Sequence, residues 1–386
     1  MKNKLKFILI ISRNLLIIFL LLEIFLGVYY SYHDESGVDE NTERIYATGV
    51  YDGVELETVK EIFRELRLQD MEWESYLHYR FKPMYAKHNT IYENGLRKTE
   101  NPSLKNSDNA LKIFCFGGST MYSAGSRDAH TIPSELSKLI HTNFPDKNVE
   151  VTNFGCHGYT RATENIQLQQ ELIKNNIPDI VIFYDGVNEI ISAHQNNEAG
   201  TPTNAYNRKN EFKVAHNYKK RIKLMLRSSY LCRLVITIQR KLKHNTIHAR
   251  LDDRPDSLAV DIANIFLGYV KISKSLEKSY NFKVFNFLQP VVYSKKNLTE
   301  AEQGYFRDQQ YYENLYDLSY SIIRKDALMK TDSTFLDIST VFDTSEKTIY
   351  TDFCHTGEYG NQLVADRIFK EIEPALTQTK FIENQE

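Results

Sequence analysis

From Leu111 onward, short apolar runs alternate with stretches of helical period. LKIFCFG (111–117) is followed by an amphipathic segment over Ile132 to Phe144, and VEVTNFG (149–155) by another over Ala162 to Asn175. DIVIFYDG (179–186) leads into a long insert, and Ala259 to Tyr280 precedes YNFKVFNFLQP (280–290). Phe335 to Ile338 reads as a short last strand and Glu358 to Ile372 as a closing amphipathic helix. Continuous apolar strands alternating with crossover helices predict an α/β domain, a three-layer α/β/α sandwich on a five-stranded parallel sheet, over about 111–376.

The pattern before Leu111 is different. Lys2, Lys4 and Lys6 precede an apolar stretch from Phe7 to Tyr30, broken only by Ser12, Arg13, Asn14 and Glu23. At about 1.5 Å per residue a helix over this stretch reaches across a ~30 Å hydrocarbon core. A basic start and an aromatic end at Tyr29, Tyr30 and Tyr32 predict an N-terminal transmembrane helix over residues 1–32, N-terminus cytoplasmic and the remainder extracytoplasmic. A cleaved signal peptide needs small residues at its cleavage site, and the first alanine is Ala47. A lipoprotein anchor needs an early cysteine, and the first is Cys115. An uncleaved signal anchor fits best. Residues 33–110 then read as a juxtamembrane linker, polar from His33 to Glu43, with a helix over Val54 to Leu68 and an aromatic, basic arm from Tyr76 to Thr99.

Charge adds one feature. The 386 residues carry a formal net charge of −2, yet Arg208 to Arg250 holds thirteen Lys or Arg against Glu211 alone. This cluster lies in the insert at about 193–255 and reads as a helical cap with its charges in water, or as a surface resting on anionic lipid or gripping an anionic glycan. Overall charge implies no nucleic-acid partner. Cys115, Cys156, Cys232 and Cys354 are too few and too dispersed for a disulfide scaffold or a thiolate metal site.

Ligands of parallel α/β sheets bind beyond the carboxyl ends of the strands, and four such positions carry chemistry here. Phe116-Gly117-Gly118-Ser119-Thr120 offers a hydroxyl and a backbone N–H on a tight turn. It lacks the GKS or GKT of a phosphate loop, and the chain has no GxGxxG or GxSxG. Asn153 to Thr160 (NFGCHGYT) and Tyr184 to Glu189 (YDGVNE) each join glycine to a hydrogen-bond donor, as an oxyanion hole requires. In Thr351 to Thr356 (TDFCHT), an Asp three residues before a His lets the carboxylate reach Nδ1 and leaves Nε2 for a serine. Taken singly, each of these is a common loop.

Together, in this order, the four blocks resemble the SGNH (GDSL-like) hydrolase superfamily, in its membrane-anchored bacterial members. The resemblance spans about Leu111 to Ile372 and implies a flavodoxin-like strand order of 2-1-3-4-5. It also implies Ser119 as nucleophile, His355 as base, Asp352 as its orienting partner, and Ser119, Gly158 and Asn188 as oxyanion donors. The third block reads GVNE where the family usually has GxND, and the first GGST where it has GDS.

The expected activity is that of an SGNH-type serine esterase of the cell envelope, cleaving O-acyl esters, O-acetyl foremost, of a glycan or lipid through an acyl-serine, with no cofactor and no metal. The alternatives are an O-acyltransferase modifying an envelope polysaccharide, and a non-catalytic glycan-binding or scaffold protein. Other polar residues carry less. His157 reads as a loop histidine satisfied by backbone, and His130 and His141 as helix-surface residues. Asp185 and Glu189 flank one asparagine without a second-strand partner, unlike a glycosidase pair. Cys156 and Cys354 are two buried thiols or, in an oxidising compartment, a disulfide bracing His355.

Overall fold

The computed structural model describes residues 2–215, 217, 218, 221, 229–242 and 255–378. It divides into two units, Met1–Asn41 with Tyr206–Leu251, and Thr42–Ala205 with Asp252–Glu386.

In the first unit the helix Lys2–Tyr46 begins. Among the described residues it is the one helix long and apolar enough to cross a membrane, and its large apolar side chains from Phe7 to Phe25 are exposed. Composition suggests a polar linker from His33, but the helix runs on to Tyr46. No proline precedes Pro83 to break it. Glu23, the acidic interruption of the apolar stretch, is not idle: its carboxylate accepts the N–H groups of Tyr230 (2.8 Å) and Leu231 (2.9 Å), at the start of the helix Tyr230–Leu242. An acidic group on the free N–H groups of a helix start satisfies both partners. Arg233 of that helix donates to Asp34 at 2.8 Å and lies 4.1 Å over the Tyr30 ring. Six of the insert's thirteen basic residues, Lys219, Lys220, Lys223, Arg227, Lys243 and Arg250, lie outside the described residues.

The second unit is built on strands β1 (Leu111–Gly117), β2 (Val149–Asn153), β3 (Ile180–Asp185), β4 (Lys283–Leu288) and β5 (Phe335–Asp337). All pair in parallel, in the order β2-β1-β3-β4-β5, which is the predicted 2-1-3-4-5. Helices cover both faces, so every residue of β3 is buried, as the unbroken apolar run requires. On one face Ile113, Cys115, Ile182 and Tyr184 join a core with Leu136 and Ile140 of the helix Ile132–Asn143 and with Val364 and Ile368 of the helix Glu358–Gln378. On the other, Phe114, Phe116, Val181 and Phe183 pack with Leu168 and Leu172 of the helix Arg161–Ile173. Between β4 and β5 the chain makes three helices, Glu300–Asp308, Glu313–Lys325 and Ala327–Thr331, beyond the elements predicted above.

Two features of this unit hold the strand-end loops. The arm before β1 folds into two-residue antiparallel pairs, Met71–Glu72 with Arg80–Phe81 and Met84–Tyr85 with Thr90–Ile91. Arg97 at its end is 2% exposed and donates to the carbonyls of Tyr122 (2.9 Å) and Ser123 (3.0 Å) and to Asp128 Oδ1 (3.1 Å), locking the turn that follows Ser119. On the far side Lys295 and Glu302 form an ion pair at 2.6 Å with both side chains 0% exposed. Glu302 also accepts the N–H of Ile349 at 2.9 Å, and Lys295 donates to the Lys347 carbonyl at 2.9 Å. Buried charges persist only when paired and hydrogen-bonded, and here they fix the approach to Asp352.

Candidate active site

β1 ends at Gly117, and Ser119 opens the four-residue helix Ser119–Tyr122. The step between them admits only glycine, since a Cβ on Gly118 would stand 1.9 Å from Asn188 Nδ2. At the first position of a helix the Ser119 N–H has no intrahelical acceptor, so both its hydroxyl and its N–H are available at the strand end.

The loop 351–357 brings the other two groups to it. His355 Nε2 lies 2.7 Å from Ser119 Oγ, and His355 Nδ1 lies 2.6 Å from Asp352 Oδ2. The second Asp352 oxygen accepts the N–H groups of Cys354 (2.8 Å) and His355 (2.7 Å), so one carboxylate fixes both the backbone and the ring of the histidine. The loop is closed by Thr351 N–H to the His355 carbonyl at 2.9 Å and by a bridge between Tyr350 and Thr356. Burial disfavours the His355 cation, but the adjacent Asp352 carboxylate outweighs that and raises the imidazole pKa well above its ordinary value. The same pairing overcomes desolvation at Asp352 and lowers its pKa.

Asn188 is buried and donates from Nδ2 to the Tyr159 carbonyl at 2.7 Å, which leaves its second amide hydrogen unused by that bond. With the Gly118 contact, this places the amide beside the Ser119 turn. Gly158 has φ +70°, its carbonyl accepts Thr203 Oγ1 at 2.7 Å, and a Cβ there would meet Tyr79 Oη at 2.8 Å. Ser119, Asp352 and His355 are therefore brought into one hydrogen-bonded line, and Asn188 packs against Gly118 just before it.

The sequence reading missed what fixes Gly158 and Asn188. Arg161, 1% exposed, donates to Asp185 Oδ2 (3.0 Å), Asn286 Oδ1 (2.6 Å) and Ser273 Oγ (2.8 Å), with its guanidinium 3.4 Å over the Phe183 ring. Its backbone N–H donates to Glu189 Oε1 at 2.6 Å, and Glu189 Oε2 accepts the Gly186 N–H at 3.0 Å. The loop after β2 is thus tied to the loop after β3. Asp185 serves as counter-ion to Arg161, the first residue of the helix after β2. Burial, then the Asp185 charge, pushes the Glu189 carboxyl up to about 7, and the same two causes raise the Glu164 carboxyl well above its usual value.

Two smaller readings change. His157 is not satisfied by backbone: its buried Nε2 has no hydrogen-bond partner, its ring meets Phe81 and Tyr122 edge-on, and burial pulls its pKa down to about 3. His130 and His141 are partnered and half-buried, bonded to Glu135 (2.7 Å) and Ser103 (3.2 Å). Cys156 and Cys354 are both buried free thiols.

Asp352, Cys354 and His355 offer ligand atoms within 4.8 Å of one another, which is compact enough for a metal ion. The donor set fits one poorly. Both ring nitrogens of His355 are engaged by Asp352 and Ser119, and burial pushes the Cys354 thiol up to about 11, away from the thiolate a metal needs.

No family model and no curated protein matches the chain. Among solved structures it is similar to the acetyl xylan esterase AlAXEase, at 15% identity over 67% of this chain and 99% of that one, TM-score 0.36. It is also similar to the acetylxylan esterase Axe2 from Geobacillus stearothermophilus, at 13% identity over 71% and 97%, TM-score 0.35. A third is a protein from Desulfitobacterium hafniense DCB-2 assigned as lipolytic and of the G-D-S-L family, at 11% identity over 68% and 99%, TM-score 0.36.

Proposed function

We propose that the chain is a serine ester hydrolase of the SGNH type, held at a membrane by its N-terminal helix with the α/β domain outside the cytoplasm. Its substrates are O-acyl esters, O-acetyl foremost, of an envelope glycan or lipid. The observation that carries the reading is the line from Asp352 Oδ2 through His355 to Ser119 Oγ, at 2.6 and 2.7 Å, at the carboxyl end of a parallel sheet.

In this reading His355 Nε2 takes the hydroxyl proton as Ser119 Oγ bonds to the ester carbonyl carbon. The Ser119 and Gly158 N–H groups and the Asn188 amide receive the oxyanion of the tetrahedral intermediate. Collapse breaks the bond to the alkoxy oxygen, which leaves with the proton from His355. Water, deprotonated by the same imidazole, then attacks the acyl-serine and releases the acid. Asp352 holds the tautomer that keeps Nε2 free to accept, and stabilises the imidazolium.

The full chain, purified in detergent, is expected to turn over an acetyl aryl ester and to be labelled at Ser119 by an active-site phosphonate. A folded chain that takes no label would favour the glycan-binding or scaffold reading. Label without turnover would favour acyl transfer to a sugar hydroxyl in place of water. Asn188→Ala is expected to lower kcat by about 10²–10³, the usual effect of losing one oxyanion donor. Full activity in that variant would remove Asn188 from the reaction.

A further inference from the structure

The loop between β2 and the helix Arg161–Ile173 carries Gly158, and the residues around Gly158 pack on the turn that leads into Ser119. Cys156 donates its N–H to the Gly117 carbonyl at 3.1 Å. The Tyr159 carbonyl accepts Asn188 Nδ2 at 2.7 Å and would stand 3.3 Å from a Cβ on Gly118. The N–H of Tyr159 is spent on the Cys156 carbonyl at 3.2 Å, whereas that of Gly158, between these contacts, makes no hydrogen bond among the described residues.

The direction of that N–H is set from outside the loop. Tyr79, in the arm before β1, donates its hydroxyl to the His157 carbonyl at 2.8 Å. The peptide joining His157 to Gly158 is trans, and in a planar trans peptide the carbonyl of one residue and the N–H of the next point in opposite directions. Holding the His157 carbonyl toward Tyr79 therefore turns the Gly158 N–H away from it. With φ +70° at a glycine, the backbone here has more rotational freedom than any other residue would allow, so the peptide needs an external hold. The hydroxyl has a second effect, because a donor on the carbonyl oxygen polarises the amide and strengthens its N–H as a donor.

Tyr79 is itself held. Its ring lies 5.6 Å from that of Tyr159 between centroids, and its carbonyl accepts the Tyr159 hydroxyl at 2.5 Å. Tyr76 (φ 68°) and His78 (φ 72°) just before it are in the left-handed region, which bulky side chains adopt only where surrounding contacts impose it. The strain sits in the turn that delivers Tyr79.

We propose that Tyr79 is a positioning residue of the active site, its hydroxyl aiming the Gly158 N–H at the ester oxygen and strengthening it as an oxyanion donor. An ester site built in this way is complete only with the arm, which lies before the stretch that resembles the hydrolase superfamily. The assignment rests on the esterase reading, with Ser119 as nucleophile and Gly158 as a donor.

Tyr79→Phe keeps the ring against Tyr159 and removes only the hydroxyl. The full chain is purified in detergent, and rates are divided by the fraction of Ser119 that a phosphonate labels at completion, so that only folded sites count. The acetyl aryl ester kcat is expected to fall about tenfold with KM unchanged, less than the loss of a whole donor would cost. Trifluoroacetophenone gives a second readout. Ser119 Oγ bonds to its carbonyl carbon, the hydroxyl proton passes to His355, and the carbonyl oxygen becomes a hemiketal oxyanion. Its inhibition constant should rise by the factor by which kcat falls, since both report on the oxyanion. Thr203→Val is the comparison: it removes a hydroxyl from the same loop, but from the Gly158 carbonyl (2.7 Å), whose peptide carries the Tyr159 N–H. Its effect on the inhibition constant should be smaller. Unchanged kcat and inhibition constant in Tyr79→Phe, a change in KM alone, or an equal effect of Thr203→Val would overturn the assignment and leave the esterase standing. A parent chain that neither takes the phosphonate nor binds the ketone would remove the esterase reading and the assignment together.

Discussion

Replacing Ser119 with alanine is expected to lower kcat for acetyl aryl ester hydrolysis by roughly 10⁴–10⁶-fold, the scale seen when a serine triad loses its nucleophile. The fold should not change. Ser119 sits at the first position of its helix, where alanine is tolerated, and its hydroxyl bonds to His355, which Asp352 holds independently. Far-ultraviolet dichroism and thermal unfolding of the two proteins would therefore coincide, while steady-state kinetics separate them. The residual rate would come from oxyanion donors and binding alone, since both survive the substitution. Retention of more than about 1% of parent activity, far above that expectation, would place the nucleophile elsewhere.

Much of the fold was legible because a parallel sheet leaves a simple record. Both faces of β1 and β3 are covered, so their runs are apolar without alternation, and the covering helices carry the 3.6-residue period. The candidate site was legible for a related reason. Its residues lie where strands end, and a glycine beside a serine, or an Asp three before a His, is a local pattern. What joins those loops is not local. Arg161 reads in sequence as a charged residue opening a helix, and nothing nearby says that it is buried against Asp185 and Asn286, 24 and 125 residues away. The same holds for Lys295 and Glu302, whose bonds to Lys347 and Ile349 span 52 and 47 residues. Burial of a charge is a property of the assembled fold, and the sequence carries no periodic trace of it. The helix beyond His33 was missed for the opposite reason: acidic composition suggests a solvated linker, yet glutamates are adequate helix formers and no proline interrupts them.

Asp352→Asn is expected to reduce kcat by about 10⁴-fold, with the fold retained, because the amide keeps the carboxylate's shape while reversing its role. Oδ1 can still accept the N–H groups of Cys354 and His355. The group facing His355 Nδ1 becomes a donor, so the imidazole must present its lone pair there and its N–H toward Ser119. Nε2 in that tautomer cannot take the hydroxyl proton. The pH profile supplies a second, signed readout. In the parent, burial lowers the His355 pKa and the Asp352 charge more than restores it, so the imidazole stays protonated to a higher pH than an ordinary histidine, and kcat/KM rises as that proton is lost. Asparagine removes the raising charge and leaves the burial, so the rising limb should move to lower pH even as its plateau falls. The Asp352 side chain is 46% exposed, and solvent screening makes the displacement smaller than in an enclosed pair. Measured profiles in which the limb does not move, or a loss of less than tenfold, would show that Asp352 neither orients nor charges His355.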